Sequence, residues 1–250
     1  MSRHLQILRK AQREGDLLEP RRKTPGSAPD APPRALPGAS GDRDQWQQLA
    51  HELFLRREAA GRGSVGVVSA TAGEGSSFVA AHLAAELARS SERPTLLLEA
   101  NVYRPAQADR HGAEPNPGLR RLLPDREFPV EQCLRQTAIE HLWLLPAGSA
   151  SNGSGPAPAP DWTHFPQLFQ ALRGRFPGIV VDLPPVNLST DTLIVSPLFD
   201  GLVMVVAADL CSREVIGNAV ERLRRANSVL LGTVLNKRKF VIPEPIYRRL

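Results

Sequence analysis

Six short runs of nearly continuous apolar residues recur along the chain: VGVVSA from Val65, TLLLEA from Thr95, HLWLLPAG from His141, GIVVDLPP from Gly178, GLVMVVAA from Gly201 and VLLGTVLN from Val229. Strands that alternate apolar and polar residues have one wet face. Unbroken Val/Leu runs are buried on both faces, and the helical stretches between them supply parallel crossovers. The pattern therefore predicts an α/β fold, a doubly wound and mostly parallel sheet of about six strands, with ligands received at the carboxyl ends of the strands. Before the first run, DQWQQLAHELFLRREAA is predicted to be a helix whose apolar face carries Trp46, Leu49, Leu53 and Phe54.

The flanks read differently. Leu5, Leu8 and Ala11 fall at helical spacing among Arg3, Arg9, Lys10 and Arg13, and Gly15 ends the pattern, so residues 1–19 are expected to form a short basic amphipathic helix. Residues 20–43 are rich in Pro, Gly, Ala and charge and are expected to be a disordered linker. The main domain then occupies 44–236, with a mobile loop expected at 148–160 (GSASNGSGPAPAP), and 237–250 form a basic tail.

Charge is distributed accordingly. Residues 1–43 hold nine Lys/Arg against five Asp/Glu, and the last fourteen hold five against Glu244 alone, so the body between them is net −3. A basic body would be the footprint of a nucleic-acid binder, and its absence argues against that class. The basic ends suit an anionic membrane surface or an acidic partner instead. Cys133 and Cys211 are too few and too far apart for a disulfide framework or a zinc site. No apolar run reaches the roughly 20 residues of a membrane span. The expected location is the cytoplasm, at the inner membrane only through a partner.

Candidate chemistry sits at the predicted strand ends. The glycine turn Gly73-Glu74-Gly75 lies between the first strand and a helix opening at Ser76-Ser77, where backbone N–H groups and the positive helix end converge on an anion. Gly61, Gly63 and Gly66 also spell G-x-G-x-x-G, but they precede the strand and carry little weight. Glu99 with Asn101 nearby, Asp182 before Pro184-Pro185, and Asn236 close three further strands on the same edge. Carboxylates there can hold Mg²⁺ or orient a nucleophile. The six histidines show no metal spacing, and no G-x-S-x-G elbow is present.

In this order, SATAGEGSS, LLLEANVYRP, VVDLPPV, DTLIVSPLFDGLVMVV and the ending VLNKRKFVIPEPIYRRL resemble the bacterial tyrosine kinases of capsule and exopolysaccharide biosynthesis, P-loop proteins related to the ParA/MinD group. The resemblance covers residues 44–250. It implies an ATP and Mg²⁺ site in which Gly73, Glu74, Gly75, Ser76, Ser77 and Asn236 bind nucleotide, Ser77 and Asp182 hold the metal, and Asp182 with Glu99 retain what catalysis remains.

Departures from the family pattern point to impairment. Ser76 stands where the phosphate-loop lysine belongs, and the two aspartates of the second motif are Glu99 and Asn101. Losing the lysine removes a fixed charge from the β- and γ-phosphates, and an Asp-to-Asn change removes a metal ligand's charge. Nucleotide and metal binding are thus expected to be weakened or lost, with Arg104 and Arg62 as candidate replacement cations. The family's C-terminal tyrosine cluster is reduced to Tyr247, a candidate phosphosite, and its Glu-x-x-Arg-x-x-Arg assembly helix reads Asp44, Gln47, Ala50. The resemblance implies a regulator or scaffold in polysaccharide export, partnered by a membrane chain-length determinant or co-polymerase and by an active kinase paralogue. An active autokinase and a ParA/MinD-like positioning ATPase are the alternatives.

Overall fold

The computed structural model describes residues 43–55, 63–149 and 159–237. The expected helix and linker of 1–42, Arg62, most of the 148–160 loop, and the tail from 238 with Tyr247 lie outside the described residues.

The elements follow in the order α1 (Arg43–Ala50), β1 (Gly63–Ser69), α2 (Ser76–Ser91), β2 (Thr95–Glu99), α3 (Gln107–His111), α4 (Leu119–Leu122), β3 (Arg135–Gln136), β4 (Leu142–Leu145), α5 (Phe165–Arg175), β5 (Gly178–Asp182), α6 (Asp191–Val195), β6 (Gly201–Ala207), α7 (Arg213–Arg225) and β7 (Leu230–Asn236). Helix α1 runs on as a π-helical turn, His51–Leu55. It keeps the expected apolar face: Phe54 is buried, and Trp46, Leu49 and Leu53 pack beside it.

One sheet joins the strands in the order β3-β4-β2-β5-β1-β6-β7. All pairings are parallel except β3 with β4. The sheet has seven strands where about six were expected. The additional strand, Arg135–Gln136, is two polar residues long, so no apolar run announces it.

Both faces of the sheet are covered, which is why its central strands read as unbroken apolar runs. On one face Val65, Val67, Leu97, Val180, Val203 and Val205 pack against the alanine-rich α2 through Val79, Leu83 and Leu87. On the other, Val68, Leu96, Leu98, Val181, Leu202 and Met204 meet Phe165, Phe169, Leu172 and Leu223 of α5 and α7. Burying each such side chain contributes roughly 1.5–3 kcal/mol. The edge strand β7 departs from that rule, since Leu235 is 58% exposed.

Register sets the site. Asp182 is the Cα partner of Val67 on one side and of Glu99 on the other. The turn after β1, the end of β2 and the end of β5 therefore meet at one edge, where the strand order reverses.

Candidate functional site

From Ser69 the chain turns through Gly73 and Gly75, with φ of 87° and 95°, a backbone region that side chains rarely adopt. A Cβ at Gly75 would also overlap the Asn236 amide nitrogen. The loop is held from behind. One oxygen of the Glu74 carboxylate accepts from the Thr71 amide (2.7 Å) and hydroxyl (3.0 Å), and the other accepts from the Ala207 amide (3.2 Å). Asn236 Nδ2 donates to the Glu74 carbonyl (2.9 Å), and Lys237 Nζ donates to the Gly73 carbonyl (2.6 Å). Glu74 and Asn236 thus shape the loop, and neither lines the cavity in front of it.

That cavity has a volume of about 560 Å³. Gly73, Gly75, Ser76 and Ser77 form part of its lining. Helix α2 begins here without a side-chain cap, so its first N–H groups remain available as donors, and the positive end of a sixteen-residue helix adds its field. Ser76, at the lysine position, is buried, and its hydroxyl lies 3.5 Å from that of Ser69. A side chain of that length leaves no ammonium in the cavity.

Ser77 and Asp182 are brought together: the Ser77 hydroxyl donates to Asp182 Oδ1 at 3.1 Å. Gln107 Nε2 donates to Asp182 Oδ2 (2.7 Å) and to the Ser77 carbonyl (2.9 Å). Burial pushes the Asp182 carboxyl up to about 7; the Gln107 bond opposes that rise, and the neighbouring Glu99 charge adds to it. One hydroxyl and one carboxylate fit a magnesium ion that keeps most of its shell as water and ligand phosphate. Among the described residues no group of three or more His, Cys, Asp or Glu is arranged to hold a metal.

Glu99 is employed differently. It is fully buried, Oε1 accepts from the Ala106 (2.5 Å) and Gln107 (2.7 Å) amides, and Oε2 accepts from Ala147 (3.0 Å). Its carboxyl is raised by burial, against the pull of these three donors. Glu99 ties the start of α3 and the segment after β4 to the end of β2, and it does not line the cavity. Asn101 does line it, as do Tyr103 and Arg104. The Tyr103 hydroxyl donates to Asp191 Oδ2 at 2.6 Å.

The structure therefore gathers Gly73, Gly75, Ser76, Ser77 and Asn101 at the cavity, with Asp182 directly behind Ser77. Two residues here carry no sequence signal: Gln107, which fills the second face of the Asp182 carboxylate, and Arg110, which lines the cavity. Both belong to α3, five residues long and outside every motif.

No protein-family profile matches the chain. It is 26% identical over 171 residues, 68% of this chain and 73% of the relative, to the putative tyrosine-protein kinase CapB of Staphylococcus aureus. With the succinoglycan biosynthesis transport protein ExoP of Rhizobium meliloti it shares 30% identity over 182 residues, 69% of this chain and 22% of that protein. Among solved structures, the chimerical protein CapA2B2 superposes with a TM-score of 0.69 at 23% identity, covering 80% of this chain and 87% of that one. The cell division ATPase MinD of Pyrococcus furiosus gives a TM-score of 0.58 at 21% identity, covering 76% and 78%. By sequence and fold together, the chain is a relative of the bacterial tyrosine-protein kinases, built on the P-loop fold that MinD also has.

Proposed function

We propose that the protein is a catalytically impaired, nucleotide-responsive member of this group. It acts as a regulator or scaffold in capsular or exopolysaccharide biosynthesis, beside a membrane chain-length determinant and an active kinase paralogue. The observation that carries the reading is Ser76: the phosphate loop keeps its shape, its glycines and its open helix end, while the side chain at the lysine position is a short, buried hydroxyl.

Binding and transfer have different requirements. Backbone donors of the loop and the α2 terminus suffice to attract phosphate. Phosphoryl transfer depends on fixed charge at the β- and γ-phosphates, and that charge is what the lysine position has lost. Ser77 and Asp182 are the residues to hold magnesium, which supplies charge neutralisation to the phosphates when bound. Asp182 brings negative charge to the metal or its water shell only as a carboxylate, a form that burial disfavours. Asn101 adds no second negative charge. An occupied loop that does not turn over can still select one conformation for a partner to read.

Calorimetric titration of the full chain with ATP and Mg²⁺, followed by a phosphotyrosine assay, tests the proposal. Binding without phosphotyrosine supports it. Phosphotyrosine that disappears in Asp182→Ala supports the second reading, an active autokinase, which the retained Ser77–Asp182 pair favours. Partner recognition is assigned to the basic ends, 1–19 and 237–250. Removing residues 1–19 and the last ten should abolish pull-down of the cognate membrane protein, and unchanged capture would overturn that assignment.

A further inference from the structure

We infer that Arg110 is a phosphate-binding cation of this cavity, one that reaches a bound phosphate from α3 and not from the lysine position of the loop. The inference rests on reading the cavity as a nucleotide-phosphate site and adds to it a residue that no phosphate-loop motif contains.

Arg110 lines the same cavity as Gly73, Gly75 and Ser76. Several other arginines are held by carboxylates: Arg173 by Asp200, Arg175 by Glu131, Arg224 and Arg225 by Glu221. Arg110 has no carboxylate partner among the described residues, and its Nε is buried without a hydrogen bond. A half-buried, unpaired guanidinium is costly, and the cost is relieved when an anion enters beside it. The positive field of Arg110 already reaches Asp182, whose carboxyl it draws downward.

Its position is fixed by neighbours. The guanidinium carbon lies 6.0 Å from the centre of the Phe78 ring, within the range of a cation–π contact. Phe78 in turn packs on His82 at 4.1 Å, and His82 on Trp46 of α1 at 5.0 Å. At the other end of α3, Glu99 holds the amides of Ala106 and Gln107. The two departures from the kinase pattern are thereby connected: the glutamate that no longer faces the cavity anchors the helix that brings a new cation to it.

Two other cations are less suited. Arg104 lines the cavity but is exposed, so water already satisfies its charge. Lys237 is committed to the Gly73 carbonyl and does not line the cavity. Arg110 offers planar paired donors, which match phosphate oxygens two at a time. The ligand class is a nucleoside di- or triphosphate, or the polyphosphate portion of one.

The test is calorimetric titration of the full chain with ADP and with sodium tripolyphosphate, in EDTA and again with Mg²⁺. Loss of a charge-assisted hydrogen-bonding group predicts that Arg110→Ala weakens both ligands by about 10- to 100-fold. Arg110→Lys should fall between it and the wild type, and Arg104→Ala should stay within about threefold. Ser76→Lys should add more affinity in the Arg110→Ala background than in the wild type, a coupling that two groups sharing one phosphate produce and independent effects do not. Should Arg110→Ala not fold, Arg110→Gln, of nearly the same length, replaces it with the same expectation. Unchanged affinity in Arg110→Ala, or equal losses in Arg104→Ala and Arg110→Ala, overturns the assignment while the cavity remains a phosphate site. A wild-type protein that binds neither probe in either buffer overturns both.

Discussion

Two neighbouring strand ends on one sheet edge have fared differently. After β1, the loop from Gly73 to Ser77 presents a short serine at position 76 within a phosphate-loop backbone: the positive-φ glycines, the open end of α2, and Ser77 against Asp182. After β2, Glu99 has kept its carboxylate but turned it to internal use, accepting three backbone N–H bonds. Loop geometry is a property of the backbone and survives the change of a lysine to serine. A carboxylate is defined by what it faces, and one buried against three amides works as a cap. The first region is thus read as the binding half of the site and the second as its structural support.

The largest effect that would break this contrast is expected at Glu99. Glu99→Ala leaves three donors without partners, at about 1–3 kcal/mol each, and chemical denaturation should show a loss on the order of 3–9 kcal/mol. A variant as stable as wild type would remove Glu99 from its structural role. Gly75→Ala attacks the other half. With φ near 95° and the Asn236 amide in the way, it should lose roughly 2–3 kcal/mol together with nucleotide binding. Retained nucleotide affinity would show that the loop is not the binding surface.

Acid should act on the supporting half. Burial first, then the charges of Arg110 and His82, lower the pKa of His111 at the end of α3 to about 4. The unfolded chain, with an ordinary histidine near 6.5, binds the proton more readily between those values. The contribution of His111 to stability is therefore complete above about pH 6.5 and is lost as pH falls through 4, against the opposite trend of the raised Asp182 and Glu99 carboxyls. His111→Gln should reduce the loss of thermal stability over that window relative to wild type, and an unchanged pH dependence would contradict the burial. The smallest effect is expected at the rim, where Tyr103→Phe removes the hydroxyl bond to Asp191. Being half exposed, it should cost about 0.5–1 kcal/mol with ligand affinity nearly unchanged.

Much of this fold is legible in the apolar pattern, because β1, β2, β5 and β6 are covered on both faces and leave unbroken Val/Leu runs. The pattern is silent on β3, whose two polar residues pair only because β4 presents a free edge, and it overstates the burial of β7. In the site, local spacing discloses the glycine turn, Ser77 and Asp182, since backbone conformation and strand register place them. It does not disclose that Glu99 faces away from the cavity, that Asn236 buttresses the loop, or that Gln107 and Arg110 enter. The Asn236 contact depends on the pairing of β7 beside β6, and the others on how the segment after β2 folds back across the β5 end, long-range packing outcomes with no local sequence mark. The candidate replacement cations named from sequence are Arg104 and Arg62. Arg104 lines the cavity but is exposed, and Arg62 lies outside the described residues.

The measurement that bears most directly on the central claim is phosphotyrosine formation on the purified full chain incubated with ATP and Mg²⁺, alongside the nucleotide titration. The account predicts measurable nucleotide binding and no phosphotyrosine above that of Asp182→Ala. Phosphotyrosine that accumulates in the wild type and vanishes in Asp182→Ala would contradict it, and would mean that the chain transfers phosphate without the loop lysine.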